Sequence, residues 1–290
     1  MYPVSFDYYR AHSVADARQL LADHPGAKLL AGGHSLVPLL KLRLAAPDAV
    51  IDIGRIPDLR GIAREGDDVR IGALTTHAEL AASAVLRTAA PALADAAAGI
   101  GDPAVRNRGT IGGNLAHADP ASDLPPVLAA LDARMVVAGP DGERTIQADR
   151  FFTGLMTTAL AEHDILLAVR VRASGRGEGS AYEKFAHPAS RYAVLGAAAW
   201  LSVANGSCTA ARVALGGLLP HARRAAAVEQ ALVGRPATVD GMAEAATRAA
   251  ADLGADVTGD IFASAEYRAA MAPVYVRRAL VSALARASLL

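Results

Sequence analysis

The sequence predicts a mixed α+β protein in two parts, and three observations carry that expectation. Short apolar runs alternate with helical patterns over the first 175 residues. "SGRGEGS" (Ser174–Ser180) then breaks the pattern as a linker. Beyond it, two long β-rich runs meet at Asn205-Gly206, a hairpin signal, and three Ala-rich helical stretches follow. The second part therefore reads as a small antiparallel sheet followed by helices. The expected domains are residues 1–175 and 176–290, with a subdivision of the first near 55–60.

The elements can be justified in order. "SVADARQLLADHP" is a short helix with Ser13 as its cap and Pro25 just past its end. "AKLLAG" is a buried strand. "SLVPLLKLRLA" is a helix that Ser35 suits as cap, with Pro38 in the first turn. "AVIDIG" is a strand, and "LRGIAREGDDVRIGAL" is a hairpin around Gly66-Asp67. A helical region, "HAELAASAVLRTAAPALADAAA", is divided by Pro91. Gly99–Pro126 is rich in Gly, Pro, Asn and Asp, yet Ile100, Val105, Ile111 and Leu115 recur within it, which favours an ordered loop with a role. "LPPVLAALDA" is helical, and "RMVVAGPDGERTIQ" is a second hairpin turning at Gly139–Gly142.

The totals exclude several classes. At 290 residues the chain can bury the cores of two domains. A hydrophobic fraction of 52% and a mean hydropathy of +0.25 come from alanine and valine. The most apolar stretch, "YAVLGAAAWLSVA" (Tyr192–Ala204), is too short to span a bilayer, so no transmembrane segment is expected. The first residues lack a basic region followed by an apolar core, so no secretory signal is expected either. Lys+Arg and Asp+Glu are both 29, which gives no basic excess for nucleic acid. Cys208 is the single cysteine; it allows neither an internal disulfide nor a cysteine-ligated iron–sulfur cluster. A cytoplasmic location is expected.

Glycine-rich segments raise the question of phosphate binding. No G-x-x-x-x-G-K-[ST] motif occurs, which removes a P-loop. Gly99-Ile100-Gly101-Asp102-Pro103-Ala104 matches G-x-G-x-x-A in form, but it follows a helical run instead of a strand, and Pro103 lacks a backbone donor. Two segments remain, "AGGHS" (Ala31–Ser35) and "TIGGN" (Thr110–Asn114). Each alone is an ordinary turn signal. Together they set two glycine pairs beside small hydroxyl and amide side chains, which is what a diphosphate needs: several donors and no bulk in the way. That pairing suggests FAD.

"KLLAGGHSLVPLLKLRLAAPDAVIDIG" and "GDPAVRNRGTIGGNLAHADPASDLPPVLAALDA" resemble the two FAD signatures of the medium, flavin-binding subunit of molybdenum hydroxylases, the family of aerobic carbon monoxide dehydrogenase and the xanthine dehydrogenases. The likeness continues through "FFTGL", "ILLAVRV" and "YEKFAHPASRYAVLGAAAWL". It implies an α+β FAD-binding fold of the vanillyl-alcohol-oxidase type in two subdomains, closed by a small C-terminal α+β domain of the carbon monoxide dehydrogenase flavoprotein type. It implies an oxidoreductase subunit of carbon monoxide dehydrogenase type, carrying FAD and no metal. The substrate would react at a molybdenum cofactor on a large subunit, and electrons would cross 2Fe–2S clusters on a small subunit. The acceptor would be a quinone, a cytochrome or NAD, and the assembly a dimer of heterotrimers placed at the inner face of the membrane through the complex.

The resemblance also assigns residues. Lys28, Leu29, Leu30, Ala31, Gly32, Gly33, His34, Ser35 and Leu36 would follow the pyrophosphate and ribityl chain. Thr110, Gly113 and Asn114 would hold the diphosphate from the other side, with Ala116 and His117 close behind. Ile100, Val105 and Gly109 would approach by packing or backbone, and Asp123 would bind a hydroxyl. Leu166 or Leu167, Lys184 and Tyr192 would lie near the isoalloxazine. The plain alternatives are a helix-capping Asp123, a solvated Lys184 and a core Tyr192. His117 and Asp119 resemble a metal pair but lack companions. No residue is assigned to catalysis, since no acid–base constellation is visible. A stand-alone FAD-dependent oxidase or dehydrogenase on the same fold is the rival reading.

Overall fold

The computed structural model describes residues 2–288. Its first layer is β1 (Asp7–Arg10), α1 (Val14–Asp23), β2 (Lys28–Leu30), α2 (Leu36–Lys41) and β3 (Ala49–Asp52). Both helices are crossovers, so the three strands pair parallel in the order β1-β3-β2. Ser13 caps α1 as expected, its hydroxyl accepting from the Asp16 N–H at 3.0 Å. Two expectations fail here. β2 is an edge strand with Lys28 exposed and Leu29 and Leu30 only partly covered; the buried central strand is β3. Ser35 does not cap α2, because its backbone is already helical (φ −103°, ψ −51°) and its hydroxyl cannot reach the first-turn amides.

After a 3-10 turn at Pro57–Leu59, the chain builds a second layer. β4 (Ile62–Glu65) and β5 (Asp68–Gly72) form the hairpin around Gly66-Asp67. Six helices follow: α3 (His77–Ala82), α4 (Ala84–Ala89), α5 (Pro91–Gly99), α6 (Pro103–Arg108), α7 (Ile111–His117) and α8 (Leu124–Ala130). Pro91 divides the first run as predicted, but Ser83 breaks it as well: its hydroxyl accepts from the Leu86 N–H and starts α4. The segment 99–126, expected as an ordered loop, holds α6 and α7. Asp102 and Thr110 cap them, each with a side-chain oxygen three residues ahead of the amide it satisfies. β6 (Arg134–Gly139), β7 (Gly142–Gln147), α9 (Ala148–Phe151), β8 (Phe152–Gly154), β9 (Thr157–Thr158) and β10 (Ile165–Arg172) complete the layer. Its antiparallel sheet runs β4-β5-β10-β6-β7.

The last part is β11 (Glu178–Ala186), β12 (Ala193–Ala204), β13 (Ser207–Gly216), β14 (Arg223–Arg224), α10 (Ala226–Leu232), α11 (Val239–Ala246) and α12 (Ala265–Ala287). Its four strands are antiparallel in sequence order, and Asn205-Gly206 makes the β12–β13 turn with φ of 53° and 73°. The linker is shorter than read: Glu178, Gly179 and Ser180 already belong to β11. Gly179 is required there because a Cβ would run into the Ala283 carbonyl of α12.

The sheet has no wet face at its centre, which explains why β12 is apolar and buried from Ala193 to Leu201. Tyr182, Ala198, Trp200 and Ala214 point into the core built by α5 and α8, whereas Ala197, Ala199, Leu201 and Val213 point into the core against α12. α12 meets them with Ala272, Val276, Ala279, Leu280 and Ala283, one helical stripe. Among the described residues, no helix is long and apolar enough to cross a membrane.

Candidate cofactor site

β1, β2 and β3 all end at one edge, and a cleft of about 440 Å³ opens beyond their carboxyl ends, where open parallel sheets place ligands. Its walls are the first glycine loop (Leu30, Ala31, Gly32) and the second (Asn107, Arg108, Thr110). Arg10, Arg55, Arg60 and Arg108 line it against a single acid, Asp52. The cleft is therefore electropositive.

The two loops touch. A Cβ on Gly32 would collide with the Arg108 carbonyl and stand 3.0 Å from Gly109 Cα. A Cβ on Gly113 would come to 2.9 Å from Thr110 Oγ1 and 3.7 Å from Ala31 Cβ. Gly33 has φ of +77°, a conformation that side chains resist, and it turns the chain from β2 into α2. The loop carrying "AGGHS" thus packs on residues 108–109, immediately ahead of "TIGGN".

Donors distinguish the loops. Among the described residues no acceptor takes the N–H groups of Gly32, Gly33, His34 or Ser35, and His34 is exposed. Four successive free amides make a concavity suited to an anion. The Ser35 hydroxyl makes no cap bond and has no hydrogen-bond partner among the described residues. In the second loop the backbone is occupied: Ile111 N–H donates to Thr75, Gly112 N–H to Ala73, Gly113 N–H to Thr110 Oγ1 and Asn114 N–H to the Thr110 carbonyl. What this loop offers is side chains. Asn114 Oδ1 accepts from the Ser122 hydroxyl at 2.7 Å, which orients the amide and leaves its NH₂ to donate.

A segment that the sequence reading passed over holds the second loop in place. Ala73, Thr75 and His77 run antiparallel to 109–112: Gly112 N–H to Ala73 O is 2.8 Å, Ile111 N–H to Thr75 O is 3.0 Å, and His77 N–H to Gly109 O is 3.0 Å. Thr76 pairs across from Thr110 and closes a capping box with Glu79 at the start of α3. His77 is buried, its Nδ1 has no partner, and burial together with the nearby His34 lowers its pKa to about 4. The available signal was "IGALTTHAEL", a strand that ends at Gly72 and passes through one tight turn into a capping box.

The remaining predicted residues fall into three groups. Lys28, Leu29 and Leu30 lead into the first loop on β2, and Leu36 opens α2. Ala116 is exposed and His117 partly buried on α7; Ile100 and Val105 flank the start of α6 and pack into the core behind the second loop. Leu166 and Leu167 are both buried on β10, in different cores, so their side chains serve packing. Tyr192 is 49% exposed, which excludes the core alternative.

Asp123 and Lys184 are brought together, and both plain alternatives fail. Asp123 sits at the start of α8 but makes no side-chain cap bond there. Its carboxylate takes the Tyr182 hydroxyl at 2.7 Å and the Lys184 ammonium at 2.9 Å, and Lys184 also donates to the Gly99 carbonyl at 2.9 Å. The Lys184 side chain is only 9% exposed, so it is far from solvated. Burial pushes the Asp123 carboxyl up, opposed by Lys184 and the Tyr182 hydroxyl.

Residues 4–172 match the family model of the FAD binding domain in molybdopterin dehydrogenase, and residues 180–283 that of the CO dehydrogenase flavoprotein C-terminal domain. The carbon monoxide dehydrogenase medium chain of Hydrogenophaga pseudoflava is 42% identical over 99% of both chains. The 6-hydroxypseudooxynicotine dehydrogenase complex subunit alpha of Paenarthrobacter nicotinovorans is 39% identical over 99% of this chain and 97% of its own. A solved structure of carbon monoxide dehydrogenase from Hydrogenophaga pseudoflava superposes with a TM-score of 0.94 at 44% identity, covering 99% of each chain. With both domains matched in order over nearly the full length, this chain belongs to the FAD-binding medium subunits of the molybdenum hydroxylases, and its cofactor is FAD.

Proposed function

We propose that the chain is the electron-transfer subunit of a molybdenum hydroxylase complex of carbon monoxide dehydrogenase type. It takes electrons from 2Fe–2S clusters on a small partner subunit, which receives them from a molybdenum-cofactor subunit, and passes them to a quinone, a cytochrome or NAD. The single observation that supports this best is the contact of Gly32 with Arg108 and Gly109, with four free amides on one side of it and an arginine-lined cleft beside it. That cradle fits a diphosphate: its two loops are packed backbone to backbone with no room for a side chain between them, and its free N–H donors are those an anion needs.

In this reading Gly32, Gly33, His34 and Ser35 bind the diphosphate through backbone N–H groups. Asn114 and Thr110 close on it with side chains, and the 1–175 part carries the cofactor. The 176–290 part supplies Lys184 and Tyr192 at the flavin end, with Asp123 between the two parts. When bound, FAD supplies reversible uptake and release of electrons, while this chain binds, orients and shields. The chain carries no assigned acid or base for oxidising a substrate. That favours a subunit over a stand-alone oxidase.

The complex would be a dimer of heterotrimers in the cytoplasm, at the inner face of the membrane where the acceptor is a quinone. The test is reconstitution. The isolated chain should bind FAD, and carbon monoxide should bleach the flavin absorbance only after the molybdenum and 2Fe–2S subunits are added. Rapid bleaching by a substrate with the isolated, metal-free chain would establish the stand-alone oxidase instead.

A further inference from the structure

His77 is gripped to Gly109 twice. Its backbone N–H donates to the Gly109 carbonyl at 3.0 Å, and its ring occupies the space a side chain at 109 would need: a Cβ there would lie 2.7 Å from Cδ2 and 2.9 Å from Nε2. Gly109 in turn backs onto Gly32, whose own Cβ position is 3.0 Å from Gly109 Cα. Ring, Gly109 and Gly32 therefore form three consecutive layers, and the last is the first of the four free amides. Among the described residues the His77 ring has no side-chain hydrogen-bond partner, its Nδ1 included, and the residue is 3% exposed. An unpaired polar atom in the interior costs stability, so a ring kept there without hydrogen bonds acts through its volume.

We propose that His77 is a positioning residue for the diphosphate: its imidazole is the rear wall that holds Gly109 forward against Gly32 and so sets the gap between the two glycine loops. This rests on the reading that these loops hold the cofactor's diphosphate. The ring stays neutral, since burial opposes its charging and His34 adds to that opposition. It therefore contributes shape to the cradle and leaves the attraction of the anion to the amides and arginines. Without the ring, Gly109 can retreat, and the amides of Gly32–Ser35 lose the surface opposite them. A flavin lacking the diphosphate does not use that gap.

The test is a double-variant cycle on the full chain, titrated with FAD and with riboflavin. His77→Ala should weaken FAD binding at least tenfold and change riboflavin binding less than twofold. Gly109→Ala, which drives a methyl into the ring from the other side, should do the same. The double variant should regain most of the lost FAD affinity, because the new methyl fills the space the ring vacated. Unchanged FAD affinity in both single variants overturns the inference, as does an equal loss for riboflavin or simple additivity in the double variant. Gly113→Val separates the two levels. If it loses FAD while His77→Ala does not, only the role of His77 fails; if it keeps FAD, the assignment of the loops fails with it.

Discussion

Lys184 lies 2.9 Å from Asp123, and the pair joins the closing sheet to the first turn of α8. The same ammonium donates to the Gly99 carbonyl ahead of α6, so one buried cation ties together the two elements that bracket the second glycine loop. Tyr182 holds the carboxylate from a third direction. Breaking a buried pair from one side strands the other charge.

Asp123→Ala should therefore destabilise the FAD-free chain by about 3–5 kcal/mol, the usual cost of leaving a buried charge alone. Tyr182→Phe, which removes one hydrogen bond and leaves the pair, should cost about 1 kcal/mol. Urea unfolding of both variants without FAD checks the order. A smaller loss in Asp123→Ala than in Tyr182→Phe would refute the role of the buried pair.

The helix caps give a contrast within one sheet layer. Ser13→Ala removes the oxygen that accepts from Asp16 N–H and should cost about 1 kcal/mol. Ser35→Ala removes no cap bond and should change apo stability by less than about 0.5 kcal/mol, while lowering FAD affinity. Thermal unfolding with and without FAD distinguishes the two serines.

His77 makes apo stability depend on pH. Its pKa is about 4 in the folded chain against 6.5 normally, so the unfolded chain binds the proton first as pH falls. The neutral ring costs nothing above about pH 6.5, and stability should decline between there and pH 4, by up to about 3 kcal/mol. Denaturant unfolding at a series of pH values should show that slope, and His77→Gln should flatten it.

Much of this was legible because glycine and turn chemistry are local. The hairpins at Gly66-Asp67 and Asn205-Gly206, the cap at Ser13 and the turn at Gly33 all rest on residues whose backbone preferences declare themselves. Non-local competition hid the rest. Ser35 has the right chemistry for a cap, but the turn set by Gly33 makes its backbone helical too early. Asp123 looks like a cap until β11, some sixty residues later, delivers Lys184 and Tyr182 to it. β2 looks buried because its apolar run is sound, while strand order, which places it at the edge, is set by the crossovers. The Ala73–His77 strap carries no glycine signature, and its role is visible only as backbone hydrogen bonds to residues 109–112.

The most direct measurement of the cradle is the flavin content of Gly113→Val. The added side chain would displace Thr110 Oγ1, which a Cβ alone approaches to 2.9 Å, and would project toward Ala31 of the opposing loop. Purified wild-type chain should carry one FAD per polypeptide, and Gly113→Val should fold with the wild-type circular dichroism yet carry none. A folded Gly113→Val with wild-type flavin content would contradict the account.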